Sequence, residues 1–202
     1  MADSGVVFHI VPGVKQTRIT FHSDAPLEDF KGTTSQVTGH FVFDPLQPRR
    51  GGNGVISTPV ASLNTGIPLR DEHLRSEDWL DAAQFPDIVL RVLAIDSIRV
   101  ADSAADFTTY DVVAACSLSV HGVVRAVSLS ARATHLRESE KTRKVLPGDW
   151  LAVRAEFMIA LADFGITGPA RTDIVGSRVS DSVFVEVSIL SATVTPTGTG
   201  PR

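Results

Sequence analysis

Apolar and polar residues alternate along four long stretches of the chain. Tyr110, Val112, Ala114, Cys116, Leu118 and Val120 fall on one parity, with Asp111, Ser117 and Ser119 on the other. Leu151, Val153, Ala155, Phe157, Ile159 and Leu161 repeat the pattern opposite Arg154 and Glu156. Val183, Val185, Val187 and Ile189 form a third run, and Val127, Leu129, Ala131 and Ala133 a fourth. A period of two over this length predicts strands with one buried and one wet face, and so antiparallel pairing.

Shorter strands are predicted at about 6–11, 17–22, 36–44 and 54–62. The run 88–100 loses its alternation midway, which predicts a bulge or sharp coiling there. Pro12-Gly13, the segment Pro48 to Gly54, His121-Gly122 and Pro147-Gly148 carry turn chemistry between the strands. One short helical insertion is expected near 68–83. Pro68 suits the first helical position, and Ser76 suits the cap of a second turn followed by Glu77 and Asp78. Trp79 and Leu80 would supply its buried contact. At ~150 residues per domain the chain makes one domain over 1–194, with a disordered tail at 195–202.

Eight or so antiparallel strands lose their exposed edges most economically by closing into a barrel. Such a barrel leaves an interior just wide enough for side chains or one slender ligand. Ala114, Cys116, Ala131, Ala133 and Ala155 on the expected inner faces leave room in it.

Charge narrows the function. With 19 basic and 23 acidic residues the formal net charge is −4, which lacks the dense basic footprint of nucleic-acid binding. No run approaches the ~20 apolar residues of a membrane helix, so no stable membrane insertion is expected. The first fourteen residues hold no basic side chain, unlike a secretory signal. The sequence as it stands reads as cytoplasmic, and as periplasmic if it is a processed form.

Candidate chemistry is sparse. His9, His22 and His40 fall on separate strands without metal-ligand spacing, so neither a metal nor a cofactor is assigned. Cys116 sits mid-face among apolar residues, where a thiol behaves as a small hydrophobe. No nucleophile elbow is present, and Arg49 to Gly54 lacks the end of a phosphate loop and reads as a hairpin tip. Arg137 to Lys144 reads as a solvated loop. Leu69 to Asp81 concentrates charge on the helical insertion, and Arg70, Asp71, His73 and Arg75 would form a polar network across one barrel end. That network serves either as a salt-bridged cap or as a lid that reads a ligand's head.

Four motifs in order bear a family resemblance. Asn64-Thr65-Gly66 with Arg70-Asp71-Glu72-His73-Leu74-Arg75-Ser76 is followed by Phe85-Pro86-Asp87-Ile88, by Leu118 to Arg125, and by Asp163-Phe164-Gly165-Ile166. Together they closely resemble the YceI-like family of polyisoprenoid-binding, lipocalin-like proteins, over roughly residues 6 to 194. The resemblance implies an extended eight-stranded antiparallel barrel whose apolar interior takes an isoprenoid, quinone-like or fatty-amide chain. The chain departs from the family pattern at Val11, Lys15-Gln16, Ala126 and Leu161.

The leading expectation is a non-catalytic protein that sequesters or carries such a lipid. With the apolar parity taken as inward, Phe21, Phe41, Phe43, Val112 and Ala114 would line the interior. Leu118, Phe157 and Ile159 would continue that lining. Trp79 and Phe85 would stand near the mouth, with Arg70, His73 and Arg75 available for a polar head. The rival reading is an enzyme that cyclises or isomerises a hydrophobic substrate in the same cavity, with His73, His121, Asp71 or Asp163 moving protons. A long-chain hydrophobic small molecule is the expected partner, and a two-fold homodimer is compatible with the resemblance and with the frequency of that symmetry.

Overall fold

The structure is a computed structural model that describes residues 5–25, 28–167 and 180–194; the expected tail at 195–202 lies outside them. Ten strand segments, β1 (Val6–Ile10), β2 (Arg18–Ala25), β3 (Glu28–Thr34), β4 (Thr38–Phe43), β5 (Gly52–Pro59), β6 (Asp87–Ser103), β7 (Phe107–Val120), β8 (Val123–Leu136), β9 (Trp150–Ala160) and β10 (Ser182–Ala192), form one antiparallel sheet. A pairing of β1 with β10 closes it. The segments follow eight paths around a barrel, because β1 and β2 run in turn along β10, and β4 and β3 run in turn along them.

The first path breaks at residues 11–17 without leaving β10 unsatisfied. The buried Thr17 hydroxyl accepts from the Leu190 amide at 3.2 Å and lies 3.4 Å from its carbonyl. That carbonyl also accepts from the Val11 amide at 2.9 Å. One side chain thus stands in for a missing rung, as a buried ladder requires.

The β7 parity is inward without exception: Tyr110, Val112, Ala114, Cys116, Leu118 and Val120 are all buried. In β6 the register slips between Val92 and Ala94, between Ile95 and Ser97, and between Val100 and Asp102. Each slip moves the inward phase by one residue, so Leu90, Val92, Ile95 and Ile98 all pack on the core despite their uneven spacing.

Several elements differ from their sequence expectation. The β3 segment was not expected, since Glu-Asp-Phe-Lys-Gly-Thr-Thr is poor in β-branched apolar residues; pairing with β2 makes it a strand. The strand expected over 36–44 begins at Thr38, and the one over 54–62 occupies 52–59 before a 3-10 turn at Val60–Ser62. Half of the glycine-rich tip therefore lies within β5. Gly54 belongs there because a Cβ would fall 2.8 Å from Cδ1 of Phe41 on the neighbouring strand.

The insertion forms α1 (Pro68–Arg75), with Pro68 in its first turn. Ser76 closes this helix rather than opening a second: its hydroxyl donates to the His73 carbonyl at 2.7 Å. The stretch expected as a bare loop contains a one-turn helix, α2 (Glu140–Arg143), begun by a capping box between Ser139 and Thr142.

Two apolar clusters fill the barrel. The larger joins Phe8, Phe41, Phe43, Tyr110, Leu151 and Ile189 with the middle of β7. The smaller, at the end that carries α1 and the β7–β8 hairpin, joins Val60, Leu63, Leu80, Leu118, Val120, Phe164 and Ile166.

Candidate ligand-binding interior

Between these clusters lies a band that neither one buries. Leu90, Val127 and Phe157 pack against both clusters yet remain only half-buried. Cross-strand register places Phe157 beside Val185 and Val185 beside Phe21, so these side chains share the inner face. The lateral row ends on Gly32, where a Cβ would fall 2.0 Å from Phe21 Cζ. Phe21 thus lies across the neighbouring strand, and its ring edge meets Phe30 at a centroid separation of 6.4 Å.

The residues expected to bind a ligand separate into three groups. Phe41, Phe43, Val112 and Ala114 are buried in the larger cluster, with Phe43 edge-on to Tyr110 at 5.6 Å. Phe21, Phe157 and Ile159 are half-buried and face inward beside the buried Leu118. The remainder gather at the α1 end. Trp79 packs on the smaller cluster, and Phe85 lies edge-on to His121 at 5.1 Å. Sequence reasoning named Leu90, Val127 and Val185 only as strand residues; their half-buried state follows from pairing across the barrel.

The charged residues of α1 hold the fold at this end. Asp71 is buried, and its Oδ1 accepts from the Thr65 amide at 2.8 Å and hydroxyl at 2.7 Å. Arg75 Nη2 donates to the Leu63 carbonyl at 3.1 Å, while its Nε is buried with no hydrogen-bond partner. The Arg70 guanidinium stands 4.8 Å over the Phe30 ring, and the side chain of His73 is exposed. Asn64 bridges to Thr33 and so ties the segment after β5 to the end of β3.

The other two motif segments clasp each other. His121 and Gly122 both have positive φ, the requirement of a two-residue hairpin between Val120 and Val123. His121 Nδ1 donates to the Phe164 carbonyl at 3.3 Å, and Arg125 Nε donates to the Asp163 carbonyl at 2.8 Å.

The expected inertness of Cys116 has a physical basis. Burial, and then the charge of Asp96, push its thiol above the ordinary value, which suppresses the thiolate. His9 and His40, on separate strands, stand opposite each other in register; among the described residues no metal-type side chain completes a cluster with them. No helix among those residues is long and apolar enough to cross a membrane.

A closed eight-stranded antiparallel barrel with an apolar interior and a helical segment laced across one end is a lipocalin-like architecture. The chain belongs to the YceI family, whose YceI-like domain matches residues 8–190. It is 31% identical over 145 residues to UPF0312 proteins of Pseudomonas savastanoi pv. phaseolicola and Pseudomonas syringae pv. syringae. Those matches cover 70% of this chain and 66% of each relative, slightly less than two thirds of the relatives' length. Among solved structures, a polyisoprenoid binding domain from Saccharophagus degradans superposes with a TM-score of 0.63 at 14% identity, covering 94% of this chain and 99% of that one. Burkholderia cenocepacia BcnA gives 0.62 at 18% identity, covering 86% and 95%. At these identities the likeness is one of fold.

Proposed function

We propose that this protein binds a long apolar chain inside its barrel and sequesters or carries it through water. The observation that carries the reading is the band of Phe21, Leu90, Val127, Phe157 and Val185, which face inward and yet are not buried. Apolar side chains in a filled core lose their accessible surface; these retain it. The barrel is narrow, so a slender chain fits better than a compact ring system. At ~0.8 kcal/mol per methylene, a chain of about twenty carbons offers ~16 kcal/mol of gross transfer energy. Ordering and association costs reduce that sum to micromolar or nanomolar binding.

The similarity to a polyisoprenoid binding domain supports an isoprenoid occupant, with quinone-like and fatty-amide chains as the neighbouring classes. Arg70 and His73 stand at the α1 end for a polar head, whereas Arg75 is held by the Leu63 carbonyl. A shielded lipid suits a carrier in cytoplasm or periplasm alike, and a homodimer is compatible with it.

Native mass spectrometry on protein purified without detergent, followed by solvent extraction, tests the reading. The expected result is a stoichiometric adduct of polyprenyl, quinone-like or fatty-amide mass. An empty protein that also fails to take up added geranylgeraniol would overturn it.

A further inference from the structure

Pairing between β8 and β9 covers only part of the length over which the two strands run together. It extends from Leu136–Trp150 to Ala131–Ala155 and stops there, although β8 continues back to Val123 and β9 forward to Ala160. Both continuing segments keep their other neighbours: β8 pairs with β7 down to Val123, and β9 pairs with β10 up to Ala160. The strands are therefore intact, and only the seam between them is open. Extrapolating the register past Ala131–Ala155 would set Leu129 against Phe157, and Val127 against Ile159.

Side-chain exposure follows the same division. Ala126, Ser128 and Ser130 on the outer face of β8 are exposed, as are Glu156 and Met158 on β9. On the inner face Val127, Phe157 and Ile159 stay half-buried. The unpaired seam thus separates an exposed outer face from an inner face on which Leu129 is buried and its neighbours are only half-buried. One end is fixed by the Ala131–Ala155 pair, and the other by the Arg125 bond to the Asp163 carbonyl. The five β8 residues between these limits span ~16 Å at strand rise. Their outer side chains are small, and no bulky group on β8 bars the way.

We propose that this seam is the lateral port through which the apolar chain enters the barrel, with the Arg125–Asp163 contact as its clasp. The port rests on the lipid-binding reading above. Both barrel ends are closed by clusters whose largest members have little or no exposure, so entry along the axis would require dismantling packed core. Entry through the seam breaks no strand pairing. It requires the inner side chains to shift, and at most the release of one exposed arginine hydrogen bond.

The test is the rate of uptake of 11-(dansylamino)undecanoic acid, read by fluorescence in stopped flow. A Ser128→Cys variant labelled with a bulky maleimide puts an obstruction on the outer lip of the seam. Ser97→Cys, labelled alike, puts the same group on the outer face of β6, away from the seam. Buried Cys116 stays unlabelled, which intact mass verifies. The expected result is uptake slowed about tenfold or more in the labelled Ser128→Cys protein, with equilibrium affinity within about threefold, and no change in the Ser97→Cys control. Arg125→Met, which releases the clasp, should speed uptake. Equal rates in the two labelled proteins would overturn the port while leaving the lipid-binding reading standing. Failure of the unlabelled protein to bind either this probe or geranylgeraniol would overturn the reading itself, and the port with it.

Discussion

The tip of the Phe21 ring occupies the space where a side chain on Gly32 would stand. A Cβ there would meet Phe21 Cζ at 2.0 Å and both Cε atoms at 2.6 Å. A glycine in mid-strand weakens the strand by itself. Here it lets an aromatic ring on the paired strand lie across the barrel wall instead of filling the centre. Phe30 and, above it, Arg70 hold the ring assembly from the same side.

Gly32→Ala should therefore force Phe21 off this position. The expected loss of stability is about 1–3 kcal/mol, the usual range for overpacking, read as a lower denaturant midpoint at constant slope. Combining it with Phe21→Leu should recover part of the loss, because the shorter side chain leaves room for the new methyl group. Additive losses in the double variant would show that the two residues do not compete for this space.

Asp71 supports the α1 end from within. Its Oδ1 accepts from both the amide and the hydroxyl of Thr65, and the residue is buried. Asp71→Ala should leave the Thr65 amide unpaired and lower stability by about 1.5–3 kcal/mol, as for other charge-assisted bonds. Asp71→Asn keeps one carbonyl acceptor and should lose less. Equal midpoints for the two variants would mean that the negative charge, not the acceptor geometry, matters here.

The loop that joins β8 to β9 should loosen in acid. Arg143 holds the Glu138 carboxyl below the ordinary glutamate value, and the Gly148 amide adds to the effect against a smaller opposing contribution from burial. Because the folded carboxyl titrates below the unfolded one, its contribution is whole above the usual value of ~4.3 and fades as pH falls through the folded value. Hydrogen exchange across residues 138–148 should accelerate in that acid window, and Glu138→Gln should remove the pH dependence. A loop whose protection stays constant through the window would sink this assignment. The Trp150 indole, which donates to the Leu146 carbonyl at 2.9 Å, offers a fluorescence reporter of the same change.

Much of the barrel is legible in the residues, and the exceptions have specific causes. The β7 parity from Tyr110 to Val120 is fully realised because that strand pairs along its length with both neighbours. Pro68 marks the start of α1 correctly, and the loss of alternation in β6 marks its register shifts. By contrast, β3 is invisible locally because its central inward position is Gly32, chosen for the ring of Phe21 rather than for strand propensity. The α1 motif reads as a head-group site, yet Arg75 bonds to the Leu63 carbonyl and Asp71 to Thr65, while His121 and Arg125 of the hairpin motif bond to backbone carbonyls, so that all four hold loops together. The open seam leaves no trace in the sequence. Val127 and Ile159 alternate as faithfully as their paired neighbours, and whether two strands meet is a property of the closed barrel rather than of either strand.

Phe157 distinguishes an open interior from a filled one. It packs against both clusters, remains half-buried, and stands on the part of β9 that β8 does not pair. In a filled core, Phe157→Trp would overpack and lower stability by about 1–3 kcal/mol. In an open band the larger ring has room, so stability should hold while the space for a ligand shrinks. The expected outcome is an unchanged denaturant midpoint with affinity for geranylgeraniol reduced about tenfold or more, measured by displacement of the dansylated probe. The reverse result, a lower midpoint with unchanged affinity, would place the ligand elsewhere and make Phe157 a packing residue. Ile159→Phe, one inward position further along β9, should show the same pairing of effects more weakly, because Ile159 packs against the smaller cluster alone.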